Sequence, residues 1–318
     1  MAVRGMVFAA VAVLSLALSV TIAPDANAAD APGPAVHPRA MISFQLPGTA
    51  GRDFSPNAHN LAWSGTVGGP LLLFLPATRA VPRDYRTFLG LASQAGFHVL
   101  ALDYSNRGPS VVKTCAGIPD CYAAVQQNRF DGTDPNAWSA IPPEDSILNR
   151  LRTALGYLRS TDPSGGWARY ASGSHVHWAD IVVAGHSQGG GQSAFIAHRH
   201  RVHAAIMFSS PVQTDAGVPA TWLTTRSATP ASRLYGFVDS HDMYYQNVIG
   251  SWHALGMGTP VNADDALDFS KAHTVVSTAD YGTPDESHLW TATDATPTLP
   301  DGTPVYEKVW RWLLEQVR

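Results

Sequence analysis

The chain alternates between short runs that are apolar almost throughout and longer stretches in which apolar residues recur every three or four positions. "PLLLFLP" (70–76) is a continuous apolar run of strand length and predicts a strand buried on both faces, "FHVLALDY" (97–104) predicts the next buried strand, and "WADIVVAG" (178–185) and "HAAIMFSS" (203–210) predict two more strands. "SRLYGFVD" (232–239) and "AHTVVSTAD" (272–280) predict two more, and "MISFQL" and "NLAWSGTVG" a starting pair. Between the strands, "RDYRTFLGLASQAG" places Tyr85, Phe88, Leu89 and Ala92 on one helical face, and Gly96 ends it. "PEDSILNRLRTALGYLRS" carries a stripe of Ile147, Leu148, Leu151, Leu155 and Leu158. "QGGGQSAFIAHRH", "YYQNVIGSWHAL" and "VYEKVWRWLLEQV" predict three further helices. Strands alternating with helices give an α/β class with a mostly parallel, doubly wound sheet, helices on both faces and right-handed crossovers.

Two regions depart from this rhythm. Residues 105–143 hold both cysteines, several prolines and little periodicity, and predict a loop insertion. The first residues combine Arg4, a run from Met6 to Ile22 that is almost wholly apolar, and the small-residue stretch "ANAAD". That pattern predicts a secretory signal peptide over 1–29, cleaved after Ala28 or Ala29, and an exported, extracellular protein. An Ala- and Pro-rich linker then covers 30–40, and a single domain covers 41–318. No later segment is apolar enough to span a membrane once the signal is removed. In an oxidising compartment the only two cysteines, Cys115 and Cys121, predict a disulfide. Closing so short a loop stabilises by about 2 kcal/mol, enough to shape a loop but not to hold a fold.

Charge and metal-binding residue types exclude several classes. The net charge is −4 and no Lys/Arg run suits phosphates or anionic lipid, so no nucleic-acid partner is expected. His198, His200 and His203 run from a helix end into a strand and share no face, and His175 and His177 are as poorly placed. No metal and no cofactor are expected.

The chemistry gathers around "GHSQGG", Gly185 to Gly190, which follows a buried strand and opens a small-residue helix. A turn that sharp forces Ser187 into a strained backbone conformation, and flanking glycines remove side chains that would collide with the strand and helix. The hydroxyl is then exposed at the carboxyl end of the sheet, where open α/β sheets place their sites. The Gln188 amide at the helix start is positioned to meet a developing oxyanion.

With this strand–turn–helix context and this order of elements, the chain resembles the α/β-hydrolase superfamily over nearly all of its mature length. The resemblance implies a Ser-Asp-His triad in the order nucleophile, acid, histidine, and a base in the loop between the last strand and last helix. His288, in "DESHLW", is the histidine there; His273 starts the strand and His253 lies within a helix. The acid follows "SRLYGFV", where Asp242 and Asp239 both qualify, Asp242 being preferred and Asp239 the alternative. The second oxyanion donor belongs to the loop after "LLLFLP", where Thr78 is chosen and Ala77 stands second. Many members have His-Gly there, whereas this chain has Pro76-Ala77-Thr78. "DYSNRGPS" (103–110) loosely resembles the family's D-x-R-G-x-G stretch with residues inserted.

The expected activity is hydrolysis of a small-molecule or polymeric carboxylic ester through an acyl-enzyme. An acyltransferase would use the same triad, and a non-catalytic binding protein would use the same scaffold. The Cys115–Cys121 loop and "RFDGTDPNAW" (129–138) are expected to wall the site, with Trp138 and Trp178 either lining it or packed at the core edge.

Overall fold

The computed structural model describes residues 1–2, 40–46, 58–264, 269 and 271–318. The expected signal (1–29) and linker (30–40) therefore lie, apart from residues 1, 2 and 40, outside the described residues.

The apolar runs form one nine-stranded sheet. Its strands are β1 (Ile42–Phe44), β2 (Asn60–Trp63), β3 (Leu71–Leu75), β4 (His98–Ala101), β5 (Ile181–His186), β6 (Ala204–Phe208), β7 (Leu234–Asp239), β8 (Val261–Asn262) and β9 (Thr274–Ser277). Their spatial order is β1-β2-β4-β3-β5-β6-β7-β9-β8. β2 is antiparallel to both β1 and β4, and every other pairing is parallel. The helices are α1 (Arg86–Gln94), α2 (Val111–Cys115), α3 (Pro119–Asp131), α4 (Ile147–Thr161), α5 (Gln188–Arg199), α6 (Tyr245–Ala254), α7 (Pro284–Trp290) and α8 (Glu307–Gln316). Among the described residues no helix is long and apolar enough to cross a membrane.

Alternation along each strand divides the core between the two faces. Leu71, Leu73, Leu75, Ile181 and Val183 meet residues of α3, α4, α5 and α6, including Val125, Leu151, Leu155, Phe195 and Trp252. Leu72, Phe74, Val182 and Ala184 face the other way, against Phe88 and Leu89 of α1 and Val309, Trp310 and Leu313 of α8. Every residue of β3 is fully buried. Each large apolar side chain so withdrawn from water contributes about 1.5–3 kcal/mol, which is why the runs without a polar face occupy the centre of the sheet. The Ser146 hydroxyl caps α4 by accepting the Asn149 N–H at 3.2 Å, a contact worth about 1 kcal/mol.

Segment 105–143 differs from the loop read in the sequence, because it contains α2 and α3. The buried positions of α3 include Gln126, Asn128 and Arg129 beside Tyr122, Val125 and Phe130, so no apolar stripe marks it. Asn128 explains the burial: its side chain donates to the carbonyls of Thr133 and Ile141 and accepts the Ile141 N–H. The stretch after α3 is thereby folded back onto the helix. Cys115 and Cys121 are joined by a disulfide that links the end of α2 to the first turn of α3.

Candidate active site

Four loops leave the carboxyl ends of β3, β5, β7 and β9, and carry Thr78, Ser187, Asp242 and His288 respectively. These strands lie within one stretch of the sheet, with β6 between β5 and β7, so the loops converge above its centre.

The turn between β5 and α5 is as tight as the glycines require. Ser187 has φ 53° and ψ −116°, a conformation rare for any residue but glycine. A Cβ on Gly185 would lie 2.4 Å from the Gly189 carbonyl carbon, and one on Gly189 would lie 1.9 Å from the Leu75 carbonyl oxygen. The strand, the helix and the neighbouring β3 therefore approach so closely that only hydrogen fits at these two positions. With the strand order above, this elbow decides the architecture. The chain has the α/β-hydrolase fold.

No family model and no curated protein sequence matches the chain. Among solved structures it is similar to TT1662 from Thermus thermophilus, at 15% identity and TM-score 0.44 over 87% of this chain and 98% of that one. It is also similar to a Klebsiella pneumoniae subsp. pneumoniae MGH 78578 protein assigned in name as a dienelactone hydrolase, at 12% identity and TM-score 0.42 over 88% and 99%. The fold assignment rests on the strand order and the elbow.

His288 bridges the serine and one of the two aspartates. Its Nε2 lies 2.8 Å from Ser187 Oγ, and its Nδ1 lies 2.8 Å from Asp242 Oδ2. A carboxylate only accepts, so Nδ1 carries the proton and Nε2 is left to accept from the serine hydroxyl. The other Asp242 oxygen accepts the Tyr244 N–H at 2.7 Å, which fixes the carboxylate plane. The Tyr244 ring packs edge-on against the imidazole with centroids 5.3 Å apart. The Asp242 side chain is fully enclosed in this arrangement, while that of His288 keeps 10% of its surface open.

Asp239 does not reach His288. It accepts from the His241 N–H and from His241 Nδ1, and the Tyr306 hydroxyl donates to its other oxygen. Burial raises its pKa, against the opposing pull of those donors. His288 itself sits on α7 rather than in the open loop that the sequence suggested. The signal that the sequence reading missed is a capping box: Thr283 accepts the Glu286 N–H, Glu286 reaches back to the Thr283 N–H, and Pro284 occupies the first helical position.

Thr78 and Gln188 both line the cavity beside Ser187, and neither backbone N–H has an acceptor among the described residues. The Thr78 hydroxyl donates to Gln188 Oε1 at 3.1 Å, tying the two loops together. The Ala77 N–H is already engaged, donating to the Tyr85 hydroxyl at 3.0 Å. Ala77 is thus less available than Thr78 as an amide donor.

That tyrosine begins a network the sequence reading did not foresee. Tyr85 donates to His186 Nδ1 at 3.0 Å, and His186 Nε2 donates to the His288 carbonyl at 2.9 Å. His186, the residue before Ser187, thereby links the Thr78 loop to the backbone of His288. Burial first, and the neighbouring His288 second, push its pKa down to about 3, so the ring stays neutral and each nitrogen keeps its role. Because unfolding returns the ring to its ordinary value of 6.5, the unfolded chain takes up a proton between pH 6.5 and 3 that the folded chain refuses. Acidification through that window therefore removes up to about 1.4 kcal/mol of stability per pH unit from this group. The difference in unfolding free energy between the wild type and His186→Gln, measured in urea, is expected to shrink by that slope from pH 6.5 downward. A difference that is flat with pH would contradict the assignment.

The cavity has a volume of about 590 Å³. Its lining includes Arg107 to Lys113 together with Val212, Gln213, Met243, Tyr244 and Leu289. Residues 129–138, Cys115 and Cys121 do not line it, contrary to the sequence expectation, because Asn128 holds that stretch against α3. Neither tryptophan lines it: Trp178 stacks on His200 with centroids 4.9 Å apart, and Trp138 is exposed.

Proposed function

We propose that this protein is a secreted serine hydrolase of carboxylic esters, with Ser187 as nucleophile, His288 as general base and acid, and Asp242 as the residue that orients it. The observation that carries the reading is the unbroken hydrogen-bond chain Asp242–His288–Ser187 ending at a strained serine on an open cavity. A serine hydroxyl is a weak nucleophile, and this chain supplies what it lacks.

In the proposed reaction Ser187 Oγ attacks the acyl carbon as its proton passes to His288 Nε2. The carbonyl oxygen becomes an oxyanion, received by the Gln188 and Thr78 amides, each such donor being worth about 10²–10³ in rate. Collapse breaks the acyl C–O bond, and the departing alkoxide takes the proton from Nε2. Water then attacks the acyl-enzyme, leaving its proton on Nε2. A second collapse releases the carboxylic acid and returns the proton to Ser187. Asp242 holds the tautomer and stabilises the imidazolium without taking the proton.

Export rests on the signal-like pattern at 1–29, and the Cys115–Cys121 disulfide suits an oxidising compartment. The test uses the full chain expressed in a secreting host, with the medium treated with a fluorophosphonate probe. Labelled protein beginning at residue 29 or 30 is expected, and Ser187→Ala is expected to remain unlabelled. A wild type that resists the probe, or equal labelling of the variant, would sink the hydrolase reading. A product retained in the cell would sink export alone.

A further inference from the structure

The charges on the cavity wall run against the charge of the whole chain. The protein carries a net charge of −4, yet Arg79, Arg107 and Lys113 line the cavity against the single carboxylate of Asp285. None of the three cations forms a salt bridge among the described residues. The Arg107 charge is felt by buried Asp103, but the ion pair of that carboxylate is with Arg150 at 3.5 Å.

The backbone segments that carry two of the cations are held together by a built device. The Arg79 N–H donates to the Asn106 carbonyl at 3.0 Å, so Arg79 lies directly across a backbone hydrogen bond from the residue preceding Arg107. Asn106 is buried, and its side-chain amide donates to the carbonyls of Ala77 at 2.7 Å and Ala80 at 2.9 Å. This clamp joins the loop that carries Thr78 to the loop after β4. Arg79 also adopts φ 65°, a left-handed backbone that costs a non-glycine residue of order 1 kcal/mol. Strain and like charge are thus concentrated one residue from the Thr78 amide. Guanidinium groups match the oxygens of carboxylates and phosphates, and an unpaired set in a cleft attracts an anion. The same lining also includes apolar Val111, Val112, Val212 and Leu289, which suit an alkyl chain.

We infer that the cavity selects esters bearing a second, anionic oxygen group, a carboxylate or a phosphate, which Arg79 and Arg107 bind with Lys113 in support while the ester carbonyl reaches Ser187. This rests on the hydrolase reading and names its substrate class.

The probes are monoethyl adipate and ethyl 6-(phosphonooxy)hexanoate, each compared with ethyl hexanoate, which has the same acyl chain length and no charge. The wild type is expected to favour an anionic ester by about 10-fold or more in kcat/KM at low ionic strength, and by less at 0.5 M salt, where exposed charges are screened. The better of the two anionic probes tells carboxylate from phosphate. In Arg79→Gln/Arg107→Gln, checked for folding by circular dichroism, the ratio is expected to fall toward one; Arg107→Lys, which keeps the charge, retains part of it. Binding of monoethyl adipate and of the phosphate ester to Ser187→Ala, by calorimetry, gives the same comparison without turnover. A wild type that prefers the neutral ester, or a preference that survives the double substitution, would overturn the inference. Loss of all turnover with selective anion binding intact would count against the hydrolase reading and leave the anion site standing.

Discussion

Asp242→Asn is expected to lower kcat by up to about 10⁴-fold, and Asp239→Asn to leave it within a few-fold. The two residues are three apart and both are buried, so their difference lies in what they touch. Asp242 Oδ2 meets His288 Nδ1 at 2.8 Å. An asparagine there can present its amide NH2, which favours the tautomer with the proton on Nε2, where it cannot accept from Ser187. The Asp239 carboxylate instead accepts from His241 and Tyr306. Its replacement weakens charge-assisted hydrogen bonds worth about 1.5–3 kcal/mol, so the loss should appear in unfolding rather than in turnover. Steady-state kinetics on a neutral ester, together with thermal unfolding of both variants, separate the two effects. A severe kinetic defect in Asp239→Asn with unchanged folding would reverse the assignment.

Gly189→Ala is expected to give the largest structural effect of any single methyl group added near the site. The new Cβ would stand 1.9 Å from the Leu75 carbonyl oxygen and 2.5 Å from that of Pro76. These are backbone atoms at the end of a fully buried central strand, so no side chain can swing aside. Adding even one methylene to a packed core costs about 1–3 kcal/mol, and a clash against fixed backbone belongs above that range. Gly191→Ala is the control, since its Cβ would meet the ends of the Gln213 and Gln126 side chains, at 3.0 and 3.2 Å, and Pro211 Cβ at an ordinary 3.9 Å, with no backbone atom among them. Soluble yield and thermal unfolding should show Gly189→Ala severely impaired and Gly191→Ala near wild type. Equal stability of the two would mean that β3 and α5 are not packed this closely.

Much of the sheet could be read from the chain because burial leaves a direct trace in composition. The runs at 70–76 and 181–186 lack a polar face, and both became fully buried central strands. Helix α3 left no such trace, because Gln126, Asn128 and Arg129 occupy buried positions where apolar residues would have marked a stripe. Helix α7 falls where the sequence reading has a loop: the capping residues Thr283, Pro284 and Glu286 carry a start signal that the sequence reading did not take up, and a helix of seven residues is too short to show periodicity.

The local sequence determined the elbow, since glycines at 185 and 189 around a serine between strand and helix permit one tight geometry, and steric exclusion acts over a few ångströms. It also determined that a histidine follows the last long strand and that two aspartates lie at and just after the end of β7. Which aspartate meets the histidine was decided only by the tertiary structure. Asp239 is still part of β7, so it shares the pleat direction of Phe237, toward the α8 side of the sheet, where Tyr306 receives it. Asp242 comes after the chain has left the strand and is free of that alternation, so it can turn across the carboxyl edge to His288. The same holds for the Arg79–Asn106 clamp and the Tyr85–His186–His288 link, whose hydrogen-bonded pairs lie 27 to 102 residues apart in the chain. Such contacts depend on where strands end relative to one another, and no window of sequence contains that distance.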